Sequence, residues 1–232
     1  SFKGDRINFI INKEDTDSLR ELCKANGVSL FMCLVALVKV LLYRYTSQED
    51  IIVGCPVAGR QHKDLEGQIG YYVNTLALRD KVTGKGSFRL LLNQVKKTVT
   101  DGFDHQEYPF DMLVDELVVK REVNRSPLFD VMVTHQDSEE TEFHIPGVEI
   151  LQTWVDYHIS KFDLAFIFSE VEEKVECSIE FNTSLFHEDR IHSAKHHLMS
   201  ILMSIIADTE KCIDDINILL ESEKSKLLYE FN

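Results

Sequence analysis

Two histidine settings in this chain have the residue types that chemistry needs. His105 is the only imidazole in the segment His105-Gln-Glu-Tyr-Pro-Phe-Asp111, and so its one candidate for general acid–base work. A base also requires an orienting partner and a substrate within hydrogen-bond reach, and neither is visible in the local sequence. The segment reads chiefly as a helix-initiating, packing motif, with Pro109 setting the first turn and Phe110 as apolar anchor. His192 and His196 are four apart and share a helical face, a spacing that can bind metal. The Glu and third ligand of a zincin are not placed around them, so no metal site is expected. Gly-rich phosphate loops, Gly-x-Ser-x-Gly elbows and Cys-x-x-Cys pairs are absent from the sequence, and no bound cofactor is implied.

Other residues suit positioning better than reaction. In Tyr72-Val73-Asn74-Thr75, strand alternation sends Tyr72 and Asn74 to one face and Val73 and Thr75 to the other. A buried amide without partners costs about 1–3 kcal/mol, so Asn74 either orders neighbouring backbone or points into a polar cleft. Gly54, Gly59 and Gly70 permit close backbone approach or positive φ, a turn function by default. Arg60 pairs a carboxylate or is solvated. Arg121 and Arg125, four apart, have the acidic stretch from Asp111 to Glu116 as charge partners, or else support the loop before the next strand.

The elements that must hold these residues follow from pattern. Arg6–Ile11 alternates as a strand, Asn12 to Asp15 caps a helix through about Ala25, and Ser29 caps a strongly apolar helix to Tyr45. Ile51–Val53 is extended, Gly54 to Gly59 is a turn region, and Ile69 to Leu78 reads as a buried strand. Ser87 to Phe103 has helical spacing, Phe110 to Leu117 is a short helix behind Pro109, and Phe129–Thr134, Phe162–Phe168 and Val175–Phe181 are strands. His187 to Ala207 is a long amphipathic helix. Strands separated by helices predict an α/β fold, a two-layer α/β sandwich with a mixed sheet covered by helices.

Length and charge bound the partners. At 232 residues one large domain with a real core is expected. The 25 Lys and Arg against 39 Asp and Glu leave a charge of −14, opposing the phosphate neutralisation on which nucleic-acid binding depends. Five dispersed cysteines read as reduced thiols, and no apolar run is long enough to span a bilayer. A soluble, cytoplasmic protein with neither nucleic acid nor membrane as partner is the expectation.

Three stretches then resemble a known family: Ile69-Gly-Tyr-Tyr-Val-Asn-Thr-Leu-Ala-Leu-Arg79, the His105–Asp111 segment, and Arg121-Glu-Val-Asn-Arg-Ser-Pro-Leu128. Their order and spacing resemble the three C-terminal signature motifs of condensation domains of nonribosomal peptide synthetases. Gly54-Cys-Pro-Val-Ala-Gly-Arg60 and Lys161-Phe-Asp-Leu164 look like further family patterns. The family's catalytic His-His-x-x-x-Asp-Gly is not reproduced: His196-His197 is followed by Leu-Met-Ser-Ile-Leu. The resemblance implies one lobe of a chloramphenicol-acetyltransferase-like fold, spanning 1–215, with 216–232 as the start of a linker toward an adenylation domain.

By the same resemblance, Gly54, Pro56, Arg60, Gly70, Tyr72, Asn74, Thr75, His105, Gln106, Pro109, Phe110, Arg121, Arg125 and Pro127 line or support a substrate tunnel, and none is catalytic. The implied reaction joins two thioesters carried on 4′-phosphopantetheine arms of carrier proteins. Implied partners are the N-terminal condensation lobe, donor and acceptor peptidyl carrier proteins, and an adjacent adenylation domain. The alternatives are a non-catalytic carrier-protein-binding or scaffolding module derived from that lobe, and a free-standing acyltransferase, which would need its own catalytic His.

Overall fold

Side-chain caps start three helices where the sequence places them. The Asn12 carboxamide accepts from the Asp15 amide at 2.9 Å, Ser29 Oγ from Met32 at 3.2 Å and Ser87 Oγ from Leu90 at 3.3 Å, each satisfying an amide that the first helical turn leaves open. The computed structural model describes residues 3–65, 67–117, 126–137 and 158–225. Within them the order is β1 (Gly4–Ile11), α1 (Lys13–Asn26), α2 (Leu30–Thr46), β2 (Asp50–Val57), β3 (Asn74–Lys81), α3 (Phe88–Asp104), α4 (Phe110–Leu117), β4 (Val131–Asp137), β5 (Leu164–Val171), β6 (Lys174–Asn182), α5 (Glu188–Ala207) and α6 (Glu221–Ser225).

The strands form one open mixed sheet in the order β1-β6-β5-β4-β2-β3. β4 runs parallel to both β5 and β2, and the remaining pairs are antiparallel. Alternation then decides which side is covered. Ile7, Phe9 and Ile11 of β1, Val175, Cys177, Ile179 and Phe181 of β6, Phe166 and Phe168 of β5, Val133 of β4, Val53 of β2 and Leu78 of β3 join α1, α2, α3 and α5 in one core. Each fully buried Leu, Ile or Phe in that layer contributes roughly 1.5–3 kcal/mol. On the other side Arg6, Asn8 and Ile10 are exposed to differing degrees, and Arg6 pairs with Glu180 at 3.0 Å. A smaller cluster covers part of that side: Phe129, Met132 and Ala165, with Ile52, Ala77, Phe110, Leu128 and Phe162 against them.

Helix α2 is buried from Cys33 to Leu41 without a break, which forces a partner on the one charged side chain in that run. Lys39 is fully buried, ion-paired with Asp80 of β3, and donates to the Leu78 carbonyl at 2.8 Å. The second Asp80 oxygen accepts from Thr98 of α3 at 2.6 Å. Burial pulls the Lys39 ammonium below its ordinary pKa, against the opposing pull of Asp80.

Two expectations need correction. Ile69 to Leu78 is not one buried strand: β3 begins at Asn74, while Ile69 is fully exposed and Tyr71 nearly so. The apolar alternation there lies in a loop that turns those side chains to solvent. Nor does the turn begin at Gly54, because β2 continues through Val57 and pairs with β3 to the Val57–Asn74 position. The chain beyond residue 215 stays in the main core, where Ile216 and Ile218 are buried. Among the described residues no single helix is long and apolar enough to cross a membrane.

Candidate functional site

The described parts of the signature motifs meet at one end of the sheet, where β2 ends and β3 begins. Asn74 makes the central connection. Its Nδ2 donates to the carbonyls of Gln106 and Tyr108, both at 2.8 Å, and its Oδ1 accepts from the Phe110 amide at 3.1 Å. That amide opens α4 and has no helical acceptor of its own, so a strand residue caps a helix thirty-six positions away. Of the two fates open to Asn74, the side chain takes the first and orders backbone.

Arg60 does the same for the loop between β2 and β3. Its Nη1 donates to the carbonyls of Leu65 and, at 2.8 Å, Gln68, and its Nη2 to that of Gly70 at 3.3 Å. The guanidinium lies 4.4 Å from the Tyr72 ring centroid, and the Tyr72 hydroxyl donates to Gln68 Oε1 at 2.9 Å. The cation–π geometry adds to carbonyl binding by a rigid planar donor. Gly59 is left-handed at φ +64°, and a Cβ there would collide with the Tyr72 carbonyl. This clamp presents Ile69, Tyr71 and Val73 to solvent.

The third motif enters through its end. Leu128 is left-handed at φ 70°, a conformation costing a bulky residue on the order of 1–3 kcal/mol. The turn carries Phe129 into the smaller cluster, with ring centroids 5.7 Å from both Phe110 and Phe162. Gly54 makes room for it, since a Cβ at that position would collide with the Phe129 ring. Gly54 is therefore held for close approach and not for a turn.

The remaining expected residues take lesser places. Thr75 is paired across the sheet with Pro56, and both are half-buried. His105 is an exposed C-cap on α3. Gln106 lends its carbonyl to Asn74 and donates its own side-chain amide to the Phe103 carbonyl at 2.9 Å. Pro109 precedes α4 and its carbonyl accepts from Leu113 at 3.2 Å; Pro127 lies half-buried before the Leu128 turn. Arg121 and Arg125 lie outside the described residues.

A shallow cleft of about 320 Å³ opens between these parts, lined by Gly59, Gln61, Tyr72, Val73, Asn74, Gln106, Glu107 and Pro109. A second, of about 410 Å³, lies on the helix side at the carboxyl end of β2, lined chiefly by Phe31, Met32, Cys55, Pro56, Phe103 and His135. Burial pushes the Cys55 thiol up to about 12, which leaves it protonated at neutral pH and a poor nucleophile. His135 Nε2 is 3.4 Å from Glu170 Oε1, and Glu170 is bound by Arg20 at 2.8 Å. Sequence pattern alone singles out neither His135 nor Phe129. The latter reads there only as the start of a strand, and nothing in its local pattern distinguishes it from a core aromatic.

Away from the motifs, His196-His197 lies within α5, with His197 buried. His192 reaches Glu188 at 3.5 Å. Among the described residues no group of three His, Cys, Asp or Glu side chains is arranged for a metal. The site can position backbone, present apolar side chains and wall a cleft.

Known proteins resemble this chain in sequence and in fold. The family described as "Condensation domain" matches residues 1–228. Bacitracin synthase 3 of Bacillus licheniformis is 40% identical over the whole chain, which covers 4% of that protein, and gramicidin S synthase 2 of Brevibacillus brevis is 36% identical, with 5% covered. The chain thus spans less than a tenth of the length of these curated relatives. Among solved structures, a holo four-domain nonribosomal peptide synthetase bound to AMP and glycine superposes with a TM-score of 0.88 at 20% identity, covering 97% of this chain and 18% of that one. The X-domain from teicoplanin biosynthesis gives 0.86 at 21%, covering 94% of this chain and 50% of that one.

Proposed function

The chain belongs to the condensation-domain family, and from that premise we propose that it is the C-terminal half of a nonribosomal peptide synthetase condensation domain, walling the acceptor side of a tunnel in which two carrier-bound thioesters are joined. The observation that carries this reading is the share of structure matched: 94% of this chain aligns with only 50% of the X-domain chain. A second half of equal size is part of that chain. The sequence here holds no His-His-x-x-x-Asp-Gly, so the base that favours the nucleophilic amine is assigned to the other lobe, and this half is inactive without it.

Its contribution to rate is then geometric. Amide formation between two tethered reactants depends on aligning an amine with a thioester carbonyl, and fixed alignment supplies much of the acceleration. Asn74, Arg60 and Gly54 hold the wall to one shape by tying β3, α4, the Arg60 loop and Phe129 together. The arms entering the tunnel are 4′-phosphopantetheine groups of donor and acceptor carrier proteins, acting as substrate tethers. The other partners are the N-terminal lobe and an adenylation domain joined through 216–232, all in the cytoplasm. The exposed Ile69, Tyr71 and Val73 suit a surface that another lobe covers.

A second reading, an interaction module without catalysis, draws on the likeness to the teicoplanin X-domain, which has been solved in complex with OxyB. A single-turnover condensation assay separates the two. Aminoacyl- and peptidyl-loaded carriers are mixed with this chain alone and with the N-terminal lobe added. Product only in the mixture supports the half-site. Silence in both, with the lobes demonstrably associated, favours the interaction module.

A further inference from the structure

The end of the described chain is held by a polar contact that the condensation reading does not use. After α5 the backbone returns along the start of α3: the Ile213 and Asp214 amides donate to the carbonyls of Gly86 and Gly84 at 3.0 and 2.9 Å. Arg44 Nη1 donates to the carbonyls of Ile213, Asp214 and Ile216 at 2.9, 2.6 and 2.9 Å. Ile213, Ile216 and Ile218 are buried in the core. To this point the segment is tied to the fold by backbone hydrogen bonds and buried side chains.

Beyond Leu219 the hold changes in kind. α6 has five residues, far too few for a helix to sustain itself in water. Its anchor is Glu223: one carboxylate oxygen accepts from the Leu220 amide at 2.9 Å and lies 2.7 Å from His197 Nε2. The other ring nitrogen, Nδ1, lies 2.7 Å from the Tyr45 hydroxyl. His197 comes from α5 and its side chain is 7% exposed, while Tyr45 comes from the last turn of α2 and stands edge-on to the imidazole. The Glu223 side fixes one proton. A carboxylate only accepts, so Nε2 carries a hydrogen toward Glu223, while the Tyr45 hydroxyl, which can donate or accept, meets Nδ1. The imidazole thus satisfies both neighbours, and a substitution at any of the three leaves a polar atom unmatched.

We propose that Tyr45, His197 and Glu223 form a latch that sets the direction in which the chain leaves the lobe. The exit segment is held in two stages. Arg44 and the three isoleucines fix residues 211–218, and the latch fixes 220–225 separately. Opening the latch frees the second stage without disturbing the first, because the buried isoleucines stay in place. Where an adenylation domain follows, as proposed above, the latch sets its orientation; the latch itself stands without that reading.

Hydrogen exchange read by mass spectrometry, on the full chain at one fixed pH, tests this. Glu223→Ala and His197→Ala are each expected to speed exchange across 220–225 about tenfold. The double variant should be no faster than either single one, and 211–218 should be unchanged in all three. Glu223→Gln retains an acceptor for Nε2–H and is expected between wild type and Glu223→Ala. Additive effects of the two alanine substitutions would overturn the latch, and so would wild-type exchange at the free-peptide rate across 220–225 or no change in Glu223→Ala. If His197→Ala does not fold, the two Glu223 variants decide the question.

Discussion

The helix-covered face of the sheet and the rim where the motifs meet are built on different principles. On the covered face, α2 is buried for nine consecutive residues, and its position is set by many apolar contacts shared with the core. The buried ion pair there, Lys39 with Asp80 and its Thr98 donor, is closed on itself. At the rim a few side chains determine everything: Asn74 holds α4, Arg60 holds the loop after β2, and Gly54 admits Phe129. Apolar residues at the rim face outward, and Leu128 stands in a strained conformation. The core supplies stability, and the rim gives up some of it to hold a surface in one shape.

Substitutions should separate the two regions. The largest effect is expected in the core: Asp80→Ala strands the Lys39 ammonium and should destabilise the fold by about 3–5 kcal/mol in urea unfolding. A loss below about 1 kcal/mol would mean that Lys39 reaches water. Replacing Lys39 and Asp80 together with apolar residues of similar volume should cost much less, since no lone charge remains. Next comes the joint between the regions, where Phe129→Ala should cost about 3 kcal/mol by opening a cavity beside Gly54.

At the rim, Asn74→Ala should cost about 1–3 kcal/mol and loosen α4, which hydrogen exchange across Phe110–Leu117 would register. Arg60→Lys should leave the melting temperature almost unchanged yet speed proteolysis within the loop it clamps, because an ammonium cannot reproduce the planar fork. The smallest effect is one of pH at the chain's exit. Burial raises the Glu223 carboxyl, but hydrogen bonds from His197 and the Leu220 amide, together with the electrostatic attraction of His197 and a smaller contribution from Ser193, outweigh it and hold the group below the ordinary range. Tyr45, pushed up to about 12 by burial and by Glu223, with Arg190 opposing, does not titrate near neutrality. A depressed carboxyl stabilises the fold above its unfolded pKa of about 4.3. The contribution should therefore persist through neutral pH and fade as pH falls through the folded value. A wild-type minus Glu223→Ala stability difference that grows toward acid would contradict it.

The two regions also differ in how legible they are. Helix starts at Asn12, Ser29 and Ser87 can be read because a cap acts within three residues, and the α2 core follows from a long apolar run. The short helix after Pro109 is legible for the same local reason. The rim resists because its determinants are distant in sequence. Nothing near Gly54 announces Phe129, and nothing near Asn74 announces the amide of Phe110. The residues from Ile69 to Val73 mislead because apolar alternation is shared by a buried strand and by a clamped loop that presents the same side chains outward. Only the Arg60 hydrogen bonds distinguish the two.

The measurement that tests the division most directly is the single-turnover amide-forming rate of Asn74→Ala in the presence of the N-terminal lobe, read beside its melting temperature. The account predicts a protein that remains folded and associates with the lobe, yet forms product at least about tenfold more slowly, because the wall proposed to align the reactants has lost its tie. An unchanged rate in a folded, associated variant would contradict it and reduce the rim to another part of the scaffold.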